Sequence, residues 1–175
     1  MSFSLWLEAP QSPFGDAIQR HAGELGTPEF SPHVTLIGGV KHLSLEALQD
    51  KCMRLAASSR RATLTVTDVD YGEMFFQCIY ALINKTQELT ALHENAKKLL
   101  YTDEGVDFKG PNDEYMPHLS LVYGELSKEV KGELSAILSE EVRGSEFTVG
   151  AIALYETGPD IQDWKCIARY PLLSQ

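Results

Sequence analysis

Long apolar runs are missing from the sequence. No stretch approaches the roughly 20 consecutive apolar residues that a transmembrane helix needs. The first residues also lack the basic segment and the long apolar segment of a signal peptide. We therefore expect a cytoplasmic protein without a membrane partner. Its 175 residues, 43% of them hydrophobic, suffice for a single domain, which we expect to span 1–175 as two lobes.

Positive charge is scarce as well. The chain has 15 Lys and Arg against 25 Asp and Glu, a formal net charge of −10. Long nucleic acids are bound mainly through Lys and Arg on their phosphates, so a long polyanion is a disfavoured partner. A few directed donors can still hold a small phosphate compound in a local pocket. The charge balance therefore favours small-molecule ligands over nucleic-acid polymers.

Paired cysteines and metal-binding spacings do not occur either. Cys52, Cys78 and Cys166 form an odd, scattered set without a CxxC spacing, which indicates reduced thiols rather than disulfides or a zinc site. The acidic residues within 103–107 have no histidine and no regular ligand spacing nearby. We interpret them as a solvated loop and expect neither a metal nor a cofactor.

Strand-like and helix-like segments mix along the chain without a strict βαβ rhythm. This mixture predicts an α+β fold with antiparallel strand pairing. Strands are expected at 2–8, 30–37, 62–69, 75–83, 115–123, 147–155 and 164–170. Helices are expected at 14–25, 44–57, 86–101 and 128–139. The remaining long loop, 102–114, is a candidate lid.

A block of ten residues occurs twice. Residues 30–39 (FSPHVTLIGG) and 115–124 (YMPHLSLVYG) share the pattern aromatic, any, Pro, His, apolar, hydroxyl, apolar, apolar, any, Gly. The two histidines, His33 and His118, are separated by 85 positions, close to half of the chain. The repeat predicts two lobes related by a pseudo-twofold axis and facing each other.

The repeated block combines one imidazole with one hydroxyl. Alternate side chains of a strand share a face, so His33 points with Thr35 and His118 with Ser120. An imidazole titrates near pH ~6.5, so a neutral ring can take a proton from water while a protonated ring protonates a departing alkoxide. The hydroxyls can donate hydrogen bonds to phosphate oxygens. The pair of blocks therefore predicts metal-independent cleavage of a phosphodiester.

These two motifs resemble the paired His-x-Thr/Ser motifs of the two-histidine (2H) phosphoesterases, in particular the plant-type cyclic phosphodiesterase branch. The similarity extends to SLWL at 4–7, FFQC at 75–78 and LYET at 154–157. The resemblance implies a bilobal α+β fold in which two antiparallel sheets flank a central cleft, with the helices outside. Plant members are richer in cysteine, so redox control through a disulfide is not expected for this chain.

The resemblance also implies an activity. Family members hydrolyse ADP-ribose 1″,2″-cyclic phosphate to the 1″-phosphate, a by-product step of tRNA splicing, and open nucleoside 2′,3′-cyclic phosphates to 2′-phosphates. By position, His33 and His118 are the catalytic pair, and Thr35 and Ser120 bind the substrate phosphate. The near-identical motifs do not distinguish acid from base. We prefer His118 as the base and His33 as the acid.

Two aromatic residues and three further histidines need an interpretation. The same resemblance implies that Tyr123 and Trp164 lie beside the cleft as substrate contacts, although core packing would explain each of them equally well. His21 and His93 fall in helical segments and are expected at the surface or its boundary. His42 is interpreted as part of a solvated turn.

Two alternative functions stay open. The same site could act on 2′,5′-linked oligonucleotides or on RNA ends that carry a cyclic phosphate. A binding module would capture a nucleotide without turnover, and its signature would be the loss of a motif residue, which has not occurred here. We expect a monomer, because no apolar stripe is left without a use inside the chain.

Overall fold

The computed structural model describes residues 2–108 and 115–174, which contain eight strands and four α-helices. The strands are β1 (Ser2–Glu8), β2 (His33–Val40), β3 (Ala62–Tyr71), β4 (Ile79–Ile83), β5 (His118–Val122), β6 (Glu146–Val149), β7 (Ala151–Thr157) and β8 (Lys165–Pro171). The helices are α1 (Asp16–Leu25), α2 (Leu45–Ala57), α3 (Gln87–Leu100) and α4 (Lys128–Val142). The predicted α+β class is confirmed.

Local capping sets the ends of the helices. The side chains of Ser44, Thr86 and Ser127 each accept a hydrogen bond from the backbone N–H three residues further on, at 3.2, 3.2 and 3.4 Å. Such hydroxyl N-caps satisfy one of the N–H groups that the first helical turn leaves unpaired. At its other end α1 stops at Gly26, whose φ of 66° is the left-handed conformation that glycine adopts readily.

All eight strands belong to one antiparallel sheet with the order β6-β3-β4-β5-β2-β1-β7-β8. The two motif strands, β2 and β5, are neighbours in its centre, and four strands lie in each half. Val34 with Leu119 is the single registered pair of β2 and β5 among the described residues. The expectation of two separate sheets is therefore corrected, because this short pairing joins the two halves into one sheet. The pseudo-twofold relation of the lobes stays a prediction.

Most apolar side chains of the helices pack on the face of the sheet opposite the motif histidines. Val34 and Leu119 are fully buried in the main core with helix side chains such as Leu48, Leu92 and Leu138. Side chains alternate along a strand, so the motif histidines point to the other face. A smaller cluster of Trp6, Ala153 and Tyr155 also packs apart from the main core. One face therefore provides stability and leaves the other face for a site.

Both motif strands begin immediately after a proline. The sequence predicted strands from 30 and from 115, whereas β2 begins at His33 and β5 at His118. Pro32 and Pro117 have no backbone N–H to donate to a neighbouring strand, which explains the later start. Their carbonyl oxygens still accept hydrogen bonds, each at 3.0 Å, from the backbone N–H groups of residues 9 and 83.

Two further strand boundaries differ from the prediction. Phe75–Gln77 forms a short 3₁₀ turn, so β4 starts only at Ile79. The strand predicted at 147–155 is two strands, β6 and β7, with Gly150 between them. Apolar character alone did not reveal these breaks.

The expectations for His21 and His93 at the surface or its boundary are wrong. Their side chains are buried, at 6% and 4% exposure, because each ring turns to the inner side of its helix. The ring of His21 contacts Glu24, and that of His93 stacks on Tyr115. His42 is exposed, as predicted for a turn, and its Nε2 donates to the Leu100 carbonyl at 2.8 Å.

The other structural expectations concern thiols, metal ligands, membrane spans and the lid. The three cysteines form no disulfide. Within residues 2–108 and 115–174, no three His, Cys, Asp or Glu side chains are grouped as metal ligands, and no helix is long and apolar enough to cross a membrane. Glu104 of the acidic loop pairs with Lys51 Nζ at 2.5 Å. The candidate lid at 102–114 lies partly outside the described residues.

Truncation of Leu119 tests whether the core behind the motifs supports the sheet. Leu119→Ala should lower the free energy of unfolding by about 2–5 kcal/mol, because it leaves a cavity at a fully buried position. Ile137→Ala is the control, because Ile137 is 53% exposed, and it should lower the free energy of unfolding much less. Urea denaturation of the three proteins measures the difference, and equal losses in both variants would contradict this core assignment.

Candidate active site

The central strands place the four motif side chains together. Extending the registered pair of β2 and β5 by one residue in each direction sets His33 across from Ser120 and Thr35 across from His118. The two imidazoles are then diagonal neighbours, a relation that separates side chains by about 7–8 Å in an antiparallel pair. This separation leaves room for a tetrahedral group between the rings.

Both imidazoles are oriented by the same type of hydrogen bond. Nδ1 of His33 lies 2.6 Å from the Ser31 carbonyl oxygen, and Nδ1 of His118 lies 2.9 Å from the Met116 carbonyl oxygen. A carbonyl oxygen only accepts, so each Nδ1 carries a proton and donates it. In a neutral ring, Nε2 is therefore unprotonated and can take up a proton, and in a charged ring Nε2 can release it.

The surroundings of the two rings differ. His33 is 4% exposed and stacks on Trp6, with 3.6 Å between centroids and 12° between planes. His118 is half-buried and meets the edge of Tyr80 at 5.4 Å. The side-chain nitrogen of Gln77 lies 3.4 Å from Nε2 of His118. His33 thus has the more apolar environment.

Burial lowers the pKa of both histidines. For His33 it brings the pKa to about 4, although the hydrogen bond to the Ser31 carbonyl acts in the opposite direction. The charge of His118 lowers the pKa of His33 further, and the charge of Glu8 raises it. Burial is also the main cause that lowers the pKa of His118. Both rings are therefore neutral at pH 7 when the cleft holds no anion.

The two hydroxyls are differently engaged. Ser120 is buried, and its Oγ donates to the Phe76 carbonyl at 3.0 Å. Thr35 is half-buried, and no hydrogen-bond partner of its hydroxyl is found in the described ranges. Thr35 can therefore donate to a ligand directly, whereas Ser120 must first turn from the Phe76 carbonyl.

The two predicted aromatic contacts lie in different places. Tyr123 is 4% exposed and stacks on Phe30 at 3.8 Å, and burial raises its pKa to about 12. Trp164 is half-buried and presents its ring near His33, at 6.4 Å, and near Trp6, at 5.3 Å. Trp164 thus belongs to the wall around His33, and Tyr123 packs mainly inside the protein. A substrate contact of either residue stays a prediction.

Sequence reasoning missed the residues that surround His33. Trp6 stacks on its ring, and Glu8 is its Cα partner across β1 and β2. The carboxylate of Glu8 accepts two hydrogen bonds of 2.7 Å from Arg169 and one of 2.8 Å from the Tyr155 hydroxyl. Alternation along β1 could have placed Trp6 and Glu8 on one face. Their position beside His33 needed the strand register, which a single sequence does not provide.

A cavity of about 790 Å³ opens beside the motifs. Thr35 and His118 contribute to its wall, as does Gln77, whereas neither Trp6 nor Trp164 does. Its volume lies in the range of pockets that hold small molecules and cofactors. The site therefore has a nucleotide-sized space on the side of His118.

Residues 1–172 match the sequence profile of a family described as cyclic phosphodiesterase-like protein. The chain belongs to this family of two-histidine phosphoesterases. A relative from Arabidopsis thaliana, described as a cyclic phosphodiesterase, is 29% identical over 95% of this chain and 92% of the relative. The predicted family and the predicted enzyme class, a phosphodiesterase, are confirmed.

Solved structures show the same fold. The protein TT0787 of Thermus thermophilus aligns with a TM-score of 0.68 at 15% identity, covering 98% of both chains. Escherichia coli LigT complexed with 3′-AMP aligns with a TM-score of 0.67 at 13% identity, covering 98% of this chain and 97% of that one. At such low identities the similarity establishes the fold alone.

The pKa of His33 predicts a stability change in acid. An unfolded histidine titrates near pH ~6.5, so between that pH and pH 4 the unfolded chain binds more protons than the folded one. Stability should fall as the pH falls through this window, and His33, with its pKa of about 4, should account for about 3 kcal/mol of the loss.

Urea denaturation at pH 7 and pH 4 measures this contribution. His33→Asn removes the titrating ring. Between pH 7 and pH 4, its free energy of unfolding should therefore fall by about 3 kcal/mol less than that of the wild type. His42→Asn, at an exposed ring, is the control and should follow the wild type. The same acid loss in His33→Asn and in the wild type would show that His33 is not held neutral by burial.

Proposed function

We propose that this enzyme opens cyclic nucleotide phosphates without a metal. The proposed substrates are ADP-ribose 1″,2″-cyclic phosphate, which gives ADP-ribose 1″-phosphate, and nucleoside 2′,3′-cyclic phosphates, which give 2′-phosphates. The observation that carries the proposal is the pair of imidazoles with both Nδ1 atoms bound to carbonyl oxygens. Membership of a family named for cyclic phosphodiesterases supports the same reaction.

The reaction needs one proton acceptor and one proton donor. The phosphate lies between the rings, and its negative charge favours a proton on one of them. The neutral ring takes a proton from water through Nε2 as the water oxygen forms a bond to phosphorus. The protonated ring gives its Nε2 proton to the ribose oxygen as the bond between that oxygen and phosphorus breaks. The hydroxyls of Thr35 and Ser120 donate to the non-bridging oxygens and stabilise the developing charge.

Ring burial distinguishes the two roles. His33 is the more buried ring, and burial lowers its pKa to about 4. When only one of the two rings is protonated, His33 is therefore the ring that remains neutral. His118 is half-buried and lines the cavity of about 790 Å³, where a protonated ring is better solvated. We therefore assign His33 as the base and His118 as the acid, the reverse of the preference drawn from the sequence.

The proposal extends to the setting of the enzyme. ADP-ribose 1″,2″-cyclic phosphate is a by-product of tRNA splicing, so the enzyme would process a small molecule rather than an RNA chain. The formal charge of −10 supports this choice, because it disfavours a long polyanion. The same proposal includes a cytoplasmic monomer with no nucleic-acid or membrane partner.

Phosphorus NMR of each cyclic phosphate with the purified protein tests the reaction. Ring opening should persist in the presence of a chelator. His33→Ala and His118→Ala should each lower kcat/KM by about 10²–10⁴-fold, because each removes one proton transfer. Thr35→Val and Ser120→Ala should lower kcat by about 10²-fold through weaker charge stabilisation.

His42→Asn is the control, because its ring lies outside the site and bonds to the Leu100 carbonyl. Full activity in either alanine variant would contradict the two-histidine reaction. Binding without ring opening would favour a nucleotide-binding module. Cleavage of 2′,5′-linked dinucleotides alone would favour the oligonucleotide alternative.

A further inference from the structure

The cavity beside His118 extends past the groups that the proposed reaction uses. Its wall includes Thr35 and His118 and also Lys85 and His93. Leu82 is the Cα partner of His118, and Lys85 follows it by three residues. At about 3.3 Å per extended residue, Lys85 lies up to about 10 Å along the chain direction from this partner. A nucleotide anchored at His118 can therefore reach Lys85.

Lys85 is an exposed cation without an ion-pair partner among residues 2–108 and 115–174. The buried lysines Lys51 and Lys131, by contrast, are paired, with Glu104 and Glu73 respectively. A positive charge at the wall of a cavity attracts an anion more strongly than one on an open surface, because the low-dielectric walls focus its field. Lys85 thus offers a local anion site in a chain whose overall charge is negative.

His93 provides a second polar group in the same cavity. Its side chain is 4% exposed, and its Nδ1 has no hydrogen-bond partner in the described part of the chain. Glu94 Oε1 lies 3.4 Å from that nitrogen but does not meet hydrogen-bond geometry. Buried polar atoms normally have a partner, so this nitrogen, in a residue that lines the cavity, is a candidate ligand contact.

The position of His93 is linked to the motif strand. Its ring stacks on Tyr115, with 3.9 Å between centroids and 4° between planes. The hydroxyl of Tyr115 donates to the Thr35 carbonyl at 3.2 Å. A ligand group at His93 and a phosphate at Thr35 would therefore be held at a fixed separation.

The wall of the cavity is mostly apolar. It includes side chains suited to the ribose and the base of a nucleotide: Met74, Leu82, Met116 and Pro117. A cavity with several polar groups and a mostly apolar wall suits a nucleotide that carries phosphates on two sides of its ribose.

We propose that this cavity binds a second phosphate of the substrate, with Lys85 as its counter-charge and His93 as a hydrogen-bond partner. The inference rests on the proposed function, because it places the cyclic phosphate between His33 and His118. It selects nucleotides that carry a 5′-phosphate or a diphosphate over cyclic phosphates of simple nucleosides. Lys85 is then a residue that determines specificity.

Binding of two product analogues tests the second phosphate site without depending on turnover. Calorimetry should show that the wild type binds adenosine 2′,5′-bisphosphate about five- to tenfold more tightly than adenosine 2′-phosphate, as expected for one charge-assisted contact. Lys85→Gln should reduce this ratio below about twofold. Lys98→Gln should keep it, because Lys98 is exposed and does not line the cavity. High salt should also lower the ratio of the two affinities in the wild type, because it screens the charge of Lys85.

The outcomes separate the two proposals. Equal affinities in the wild type, or a ratio that persists in Lys85→Gln, would overturn the second phosphate site and leave the ring-opening reaction standing. If the wild type binds neither compound and opens no cyclic phosphate, the proposed function fails, and the second site fails with it.

Discussion

Val34 and Leu119 pair at the centre of the sheet, and the geometry of the site depends on that pairing. Side chains alternate along a strand, so a slip of β5 by one residue would turn His118 into the core and Leu119 into the cleft. Both paired residues are fully buried against the helices, which makes such a slip costly. The core thus fixes which imidazole and hydroxyl lie opposite each other, although neither paired residue takes part in the chemistry.

A second constraint comes from the prolines that precede both histidines. Each strand starts directly after its proline, and the carbonyl one residue before the proline accepts from Nδ1 of the histidine. Repetition of this arrangement in both blocks gives two rings with the same available nitrogen. The differences between His33 and His118 arise outside the repeat, from Trp6 on one side and the large cavity on the other. A symmetric motif in unequal surroundings suits the proposed reaction, in which one ring is the acid and the other the base.

Local patterns predicted the helices and the faces of the motif strands because caps and alternation act over a few residues. The same patterns missed features set by long-range register: the single sheet, the Glu8 carboxylate beside His33 and the cavity that reaches Lys85. Burial of His93 was also missed, because it depends on Tyr115 stacking from a distant segment. Periodicity identifies a candidate pair of catalytic residues, whereas their electrostatic difference depends on neighbours that are distant in sequence.

Both motif histidines donate through Nδ1, and in the proposed reaction they present Nε2 to the substrate. Nitrogen-15 NMR of the imidazoles at pH 7, assigned with His33→Asn and His118→Asn, measures this directly. Both rings should be neutral with a protonated Nδ1 and an unprotonated Nε2, because carbonyl oxygens accept from Nδ1. A neutral ring protonated at Nε2 in either motif would contradict the proposed geometry of the acid–base pair.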